Sequence, residues 1–328
     1  MGKQIIGIDI GGTKVKIGLL DVQGNIHSKW DINTNIINNG AFIVDEIWES
    51  ILSKSVMKNN QEILGIGIGA PGFVDAKTGI VHEAVNIGWE NFELGRRFNE
   101  KTNLPVFVEN DANLAALGEN WKGAGGLVDD LIVVTLGTGV GSGIVSNGEV
   151  IQGVNGTAGE IGHIIVDPHG RLCNCGRIGC LDTIASANGI VRYAENVILK
   201  NPTGELAKIY QKNNKITSKD IFVLASQDNE DCIQIIDWVA DALGIAFANA
   251  ATILNPSKIL IGGGLSKAGD IFLNKIKKSF LTYSLARIGE ATQLDFAELE
   301  NDAGITGAAY LVYTKLQKND DCSTVMNN

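Results

Sequence analysis

The stretch IIGIDIGGTKVKIGLLDVQGNI, residues 5–26, decides the fold. An apolar run reaches a Gly11-Gly12-Thr13-Lys14 turn, an alternating run follows, and Gln23-Gly24-Asn25 turns the chain again. This is the pattern of a hairpin bent around glycine. It returns as LIVVTLGTGVGSGIVSNGEVI at residues 131–151, with Thr135 where Asp9 stood and Gly137 matching Gly11. There Asn147-Gly148 takes the place of Gln23-Gly24. A repeat of about 125 residues predicts two related α/β halves, each opening with such a hairpin.

Working outward, the pattern predicts a helix at about 41–58, a strand at about 63–70 ending in GAPG, and a strand VFVEN entering the helix DANLAALGENWKG. Residues 231–254 carry Ile235, Ile236, Val239, Leu243, Phe247, Ala250 and Leu254 at helical spacing, so one face is expected to be buried. Asn255-Pro256 stops that helix. A strand KILIGGG and a small-residue helix GITGAAYLVYTKL follow, then a polar tail from Lys318 expected to be disordered. Residues 200–220 read as a solvated connection between helices.

The chain has 328 residues, enough for two domains, with 45% hydrophobic and 20% charged residues. Its formal charge of −10 opposes nucleic-acid binding, which needs a clustered basic surface. No run of eighteen apolar residues suggests a membrane span, and the N-terminus enters a strand pattern at once, without the features of a signal peptide. Five cysteines, three of them within eight positions, fit a disulfide framework poorly. A cytoplasmic protein that binds neither nucleic acid nor membrane is expected. Forty glycines exceed the usual ~7%, and they cluster.

Three of those clusters each follow an apolar strand: Gly11-Gly12-Thr13-Lys14, Gly137-Thr138-Gly139-Val140-Gly141 and Gly262-Gly263-Gly264. Turns without Cβ atoms let several backbone N–H groups converge on one anion, and threonine hydroxyls add donors. One such turn is commonly a plain hairpin; three, two of them in related repeats, point to a nucleotide gripped from two sides. Neither the Walker A pattern nor a helix-opening G-x-G-x-x-G at the first strand is present.

HIIVDPHGRLCNCGRIGCLD, residues 163–182, concentrates His163, Cys173, Cys175 and Cys180 in a chain with only four histidines. Zinc takes tetrahedral nitrogen and thiolate ligands, and these four complete its shell with no position open to water, so a structural zinc is expected. Gly176 and Gly179 permit the sharp reversal that Cys-x-Cys spacing demands. Cys232 is expected to pack on the long helix, and Cys322 to lie in the tail.

The two hairpin turns resemble the phosphate loops of the sugar kinase, hexokinase and actin ATPase superfamily. With GIDIGGTK, GIGAPGFVD, NIGW, ENDANLAALGE, TLGTGVGSGI, GEIGH, CNCGRIGC, ILIGGG and GAAYL in order, the chain is similar, nearly end to end, to the ROK family of sugar kinases and sugar-responsive repressors. Through ENDANLAALGE and WKGAG it most resembles the family's Gram-positive-type glucokinases. The resemblance implies an actin-like, ribonuclease H-like α/β fold with a nucleotide and sugar cleft between two domains: residues 1–118 with 304–317, and 119–303, leaving 318–328 as tail. It implies ATP as phosphoryl donor, with Asp9 near Mg²⁺ or its water shell, Thr13 and Thr138 near the β- and γ-phosphates, and Gly263-Gly264 beside the adenosine. It makes Asp111 the general base for a sugar hydroxyl. Read from the residues alone, Asp9 could also be a strand-end turn residue and Asp111 a helix N-cap.

By the same similarity the sugar meets Asn110, Asp111, Glu160, His163 and Asp182, with Gly72 offering backbone, and His163 binds zinc through one ring nitrogen and sugar through the other. At its ordinary pKa of ~3.9 Asp111 would be ionised at neutral pH. The family usually carries glutamate where this chain has Asp182. The shorter acid requires the loop to move inward or a water to bridge. Phosphorylation of the glucose 6-hydroxyl is the leading expectation, with N-acetylmannosamine, N-acetylglucosamine or fructose as alternative substrates. A repressor is disfavoured, because such proteins carry some eighty residues ahead of the first phosphate loop. A non-catalytic actin-like scaffold is opposed by the complete sugar and zinc motifs. A homodimer is expected, since two-fold pairs are the commonest assembly and family members often pair.

Overall fold

The computed structural model describes residues 2–54 and 62–325, with side-chain surroundings as far as Lys318. The first hairpin forms as β1 (Lys3–Ile10) and β2 (Lys14–Asp21), pairing Gly7 with Gly18 and Ile10 with Val15, and β3 (Ile26–Asn33) adds an antiparallel edge. Helix α1 (Ile43–Ser53) leads to β4 (Glu62–Ala70), parallel to β1. A small sheet of β5 (Phe73–Asp75), β6 (Ile80–Ala84) and β7 (Trp89–Phe92) follows, then α2 (Leu94–Thr102), β8 (Val106–Asn110) and α3 (Asp111–Lys122).

The second half repeats this plan. β9 (Leu131–Leu136), β10 (Val140–Ser146) and β11 (Glu149–Val150) form its antiparallel part. Then come α4 (Asp182–Ala185), α5 (Ala187–Lys200), α6 (Glu205–Asn213), α7 (Ser218–Ala225) and α8 (Glu230–Leu254). β12 (Lys258–Gly262), α9 (Asp270–Tyr283), α10 (Ala286–Ala291), β13 (Gln293–Phe296) and α11 (Ala303–Val325) complete the described chain. The two large sheets have the orders β3-β2-β1-β4-β8 and β11-β10-β9-β12-β13, with the last three strands of each parallel. The sequence repeat is therefore a repeat of topology, the two α/β halves of an actin-like fold.

Central β1 buries Ile5, Ile6, Ile8 and Ile10 on both faces, as strands covered on two sides do. Helix α11 lies across β1 and β4, and glycine lets it approach: a Cβ on Gly7 or Gly67 would stand 2.2 or 2.0 Å from the carbonyl oxygens of Ile305 and Ala308. α11 crosses α3 just as tightly, since a Cβ on Gly307 would meet the Leu114 oxygen at 1.8 Å. The larger core surrounds α8, which buries six of its seven expected residues, Leu254 being half-buried at the end. Asn229 caps its start by accepting from Cys232 N at 3.0 Å, and left-handed Asn255 (φ 46°) ends it before Pro256.

Three expectations need correction. The polar tail is helical as far as Val325, because α11 runs on from the sheet, and Lys318 pairs with Glu149; residues 326–328 lie outside the described residues. Residues 200–220 are not all connection: Leu206 and Ala207 are buried on α6. The helix near 41–58 ends at Ser53, and 55–58 lie outside the described residues. Cys232 is buried in the α8 core as expected; the side chain of Cys322 lies beyond the described surroundings.

Candidate active site

Strand β8 ends at Asn110, whose extended backbone (ψ 144°) opens α3. Its side-chain oxygen accepts from Ala112 N at 2.9 Å and Asn113 N at 3.2 Å, while its amide donates to Gly72 O at 3.0 Å. Asn110, not Asp111, is thus the N-cap. Asp111 is the first helical residue, accepting at 2.8 Å from Ala112 N. Its pKa is not ordinary: burial, then the charges of Asp9 and Glu160, raise it to about 6. Gly72 has φ +83°, and a Cβ there would stand 1.9 Å from Glu83 O, so its carbonyl is presented to Asn110 by a turn that only glycine allows.

Asp9 stands at the end of β1, where burial raises its pKa against the pull of Lys16, whose Nζ is 3.5 Å away. Carboxylates on the ends of β1 and α3 therefore face one space. The first glycine turn closes through Gly11 N to Lys14 O at 2.9 Å, and Thr34 braces it, its hydroxyl donating to Gly11 O at 2.6 Å and its N–H to Thr13 O at 2.9 Å. Gly12 and Thr13 are exposed on this turn. Lys14 is also exposed and turns away to pair with Asp31 on β3.

The second turn closes through Gly137 N to Gly139 O at 2.9 Å and is held from α5: Ala187 N donates to Gly137 O at 2.8 Å, and the Asn188 amide to Thr138 O at 3.0 Å. Gly263, at φ +84°, and Gly264 line a cavity of about 200 Å³ with Ala115, Thr135, Ser266 and Asn301. Gly263 and Gly264 are the pair that the resemblance sets beside the adenosine.

Glu160 precedes a single 3₁₀ turn, Ile161–His163, fixed by Ser142, whose hydroxyl accepts from Ile161 N at 3.0 Å and donates to Gly159 O. His163 Nδ1 lies 3.7 Å from Cys173 Sγ, and Cys175 Sγ lies 3.6 Å from Cys180 Sγ. The four ligand atoms all fall within 4.8 Å of one another, so the knuckle can hold a metal ion. Gly176 and Gly179 take φ of +84° and +82°, as the tight reversal requires. Arg177 lowers the Cys175 thiol by hydrogen bonds, first from its backbone and then from its side chain.

His163 and Asp182 line a cavity of about 620 Å³ with Asn86, Thr138 and Gly139. Asp182 does not stand free: its Oδ1 accepts from Val140 N at 2.7 Å, fastening the acid to the second glycine turn. Lys14, a candidate phosphate ligand, is held on Asp31 instead. Thr34, Lys16, Ser142 and Asn188 were not singled out from sequence. For Lys16 the signal was its place on the same face of β2 as Lys14, two residues on; the others act through pairings between distant segments.

The ROK family model matches residues 5–315. The glucokinase of Halalkalibacterium halodurans is 47% identical over 318 residues, 96% of each chain. Among solved structures, the ROK family glucokinase from Streptomyces griseus in complex with glucose and AMPPNP is 38% identical, with a TM-score of 0.76 over 94% of this chain and 98% of that one. A ROK family transcriptional regulator, a homologue of the E. coli MLC protein, is 30% identical, with a TM-score of 0.86 over 96% of this chain and 78% of that one. Glycine turns, capping asparagine and thiol knuckle thus sit in a chain that is matched nearly from end to end, and the protein belongs to the ROK family.

Proposed function

We propose that the protein is an ATP-dependent glucokinase, transferring the γ-phosphoryl group of ATP to the 6-hydroxyl of glucose. The observation that carries this reading is Asp111 at the start of α3, raised to about 6 beside Asp9 and Glu160. The glucokinase relatives and the complex with glucose and AMPPNP support the substrates.

Asp111 accepts the hydrogen of the 6-hydroxyl and orients its oxygen. The new bond runs from that oxygen to the γ-phosphorus as the bond to the β–γ bridging oxygen breaks; ADP leaves with that electron pair, and the proton passes to Asp111. The transition state is loose, so alignment and charge neutralisation supply most of the acceleration. Thr13, Thr138 and the N–H groups of Gly12 and Gly139 face the phosphates, Gly11 and Gly137 shape the two turns by closing them on Lys14 O and Gly139 O, and Gly263 and Gly264 border the adenosine. Lys14, after releasing Asp31, is assigned to the same anion. Asp9 would hold Mg²⁺, directly or through water, and the ion would supply charge neutralisation at the phosphates. The raised pKa of Asp9 fits a carboxylate set to receive a cation.

Asn110, Glu160, His163 and Asp182 read the sugar hydroxyls, with Gly72 behind Asn110. The knuckle suits zinc: Zn–S bonds of about 2.3 Å at a tetrahedral angle separate ligand atoms by roughly 3.5–3.8 Å, against the 3.6 and 3.7 Å found. Zinc there would supply rigidity and fix the tautomer of His163, leaving Nε2 for the sugar. Residues 1–118 with 304–317 form one domain and 119–303 the other, joined where α3 crosses α11, with 318–328 as tail. The thiol cluster and ATP as donor favour a cytoplasmic setting, and exposed Ile271, Leu281 and Leu285 on and after α9 favour a homodimer.

ADP release measured over a panel of hexoses and acetamidohexoses tests the reading. Glucose should lead; a panel in which no sugar elicits ADP, or in which an acetamido sugar leads, would overturn it.

A further inference from the structure

The 620 Å³ cavity contains a cation that the proposed mechanism leaves unused. Its wall is drawn from both halves, with Asn86 from the first and Thr138, Gly139, His163, Asp182 and Arg192 among those from the second. Arg192 is the single lysine or arginine on that wall among the described residues. It sits in the second turn of α5, the helix whose first residues already grip the second glycine turn through Gly137 O and Thr138 O. Helical side chains lean toward the helix N-terminus, and Arg192 does so, its Nε donating to Asn188 O at 3.2 Å. Asn188 therefore links the guanidinium to the turn.

That one bond leaves both terminal nitrogens of the guanidinium for another acceptor. Among the described residues no carboxylate lies within 4 Å of Arg192, whereas Lys14 at the first turn, Lys16 on β2 and Lys29 on β3 are paired with Asp31, Asp9 and Asp302. In a chain of net charge −10, an arginine without a carboxylate, beside a glycine turn of the anion-binding kind, is matched to an anion from outside. A planar guanidinium fork fits two oxygens of a phosphoryl group.

We propose that Arg192 binds the phosphoryl group in transit, holding two of its non-bridging oxygens from the side of the second half when the cleft closes over both substrates. The inference rests on the kinase reading and adds a catalytic residue to it. The oxygens that Arg192 grips carry the charge that spreads over the group as the sugar oxygen approaches and ADP departs, so the contact is strongest in the transition state. Sugar hydroxyls, neutral and more widely spaced, are the competing occupants.

Arg192→Ala and Arg192→Lys decide between them. Arg192→Ala should lower kcat by about 10²- to 10³-fold and leave glucose affinity, titrated without nucleotide, within about twofold. Inhibition by ADP with aluminium fluoride and glucose should weaken by a similar factor. Added guanidinium ion should restore part of the turnover of Arg192→Ala and none in the parent. Arg192→Lys, which keeps charge and stem but loses the fork, should fall at least tenfold with an unchanged melting temperature, and it carries the test should the alanine variant not fold. Turnover within about threefold of the parent in both variants, or a loss of glucose affinity with analogue inhibition intact, would overturn the assignment. Inhibition by ADP with aluminium fluoride and glucose separates the two claims. A parent that releases no ADP on any hexose sinks the kinase reading, while unchanged inhibition by that analogue in a folded Arg192→Ala sinks this one.

Discussion

Asp111 titrates where its position puts it. With its pKa raised to about 6, it is half protonated there, and only the ionised form accepts the sugar proton. The kcat/KM for glucose should therefore fall about tenfold per pH unit below about 6; a profile flat down to pH 4.5 would mean that the base is elsewhere. The same shift bears on stability. A carboxyl whose folded pKa lies above its unfolded value favours the fold most at low pH, and that contribution is lost as pH rises through about 6. Asp111→Asn should then abolish most turnover, by about 10²- to 10⁴-fold, yet raise stability at pH 7.5 by up to about 3 kcal/mol. Thermal melts should show the gain vanishing near pH 4. Asp182 raises a different question, because its carboxylate is fastened to Val140 N. Asp182→Glu should narrow the sugar panel toward glucose by letting the longer acid reach the ring, and an unchanged ranking would remove this position from selectivity. Asp9, the glycines and the thiols were readable because turns and ligands announce themselves by local spacing. The capping role of Asn110 was not, since ENDAN offers two adjacent caps and only the backbone angle chooses between them.

Elements carry these residues with different tolerances. The knuckle from His163 to Cys180 is a small loop whose shape depends on four donors and two left-handed glycines. Metal analysis should find about one zinc per chain, and stripping it should weaken glucose binding at least tenfold while nucleotide binding persists. A stripped protein that binds glucose as before would refute the bracing role. The crossing of α3 and α11 has no slack, with Leu114 O at 1.8 Å from where a Cβ on Gly307 would lie. Gly307→Ala should cost about 1–3 kcal/mol by forcing the helices apart, read as a lowered denaturation midpoint. Sequence pattern gave both helices but not their contact: small residues mark a close approach without naming the partner. α6 was missed because Leu206 and Ala207 are its only buried residues, too few to set a period.

Across the whole molecule, the doubled topology was legible because both hairpins repeat one punctuation. What joins the halves was not. Gln152 Nε2 donates at 2.5 Å to buried Glu109, and Lys318 pairs with Glu149; each tie spans segments far apart in sequence. The candidate site draws on both halves, so phosphoryl transfer without loss of ATP to water calls for closure. Small-angle scattering should record a smaller radius of gyration on adding glucose, and an unchanged curve would argue for a rigid cleft. The long reach of α11 has a consequence for how the molecule is made. Strand β1 leaves the ribosome early, yet the helix that covers one of its faces follows about 300 residues later. During that interval Gly7 and Gly67 line a bare groove on an incomplete sheet, a surface open to another chain until α11 covers it.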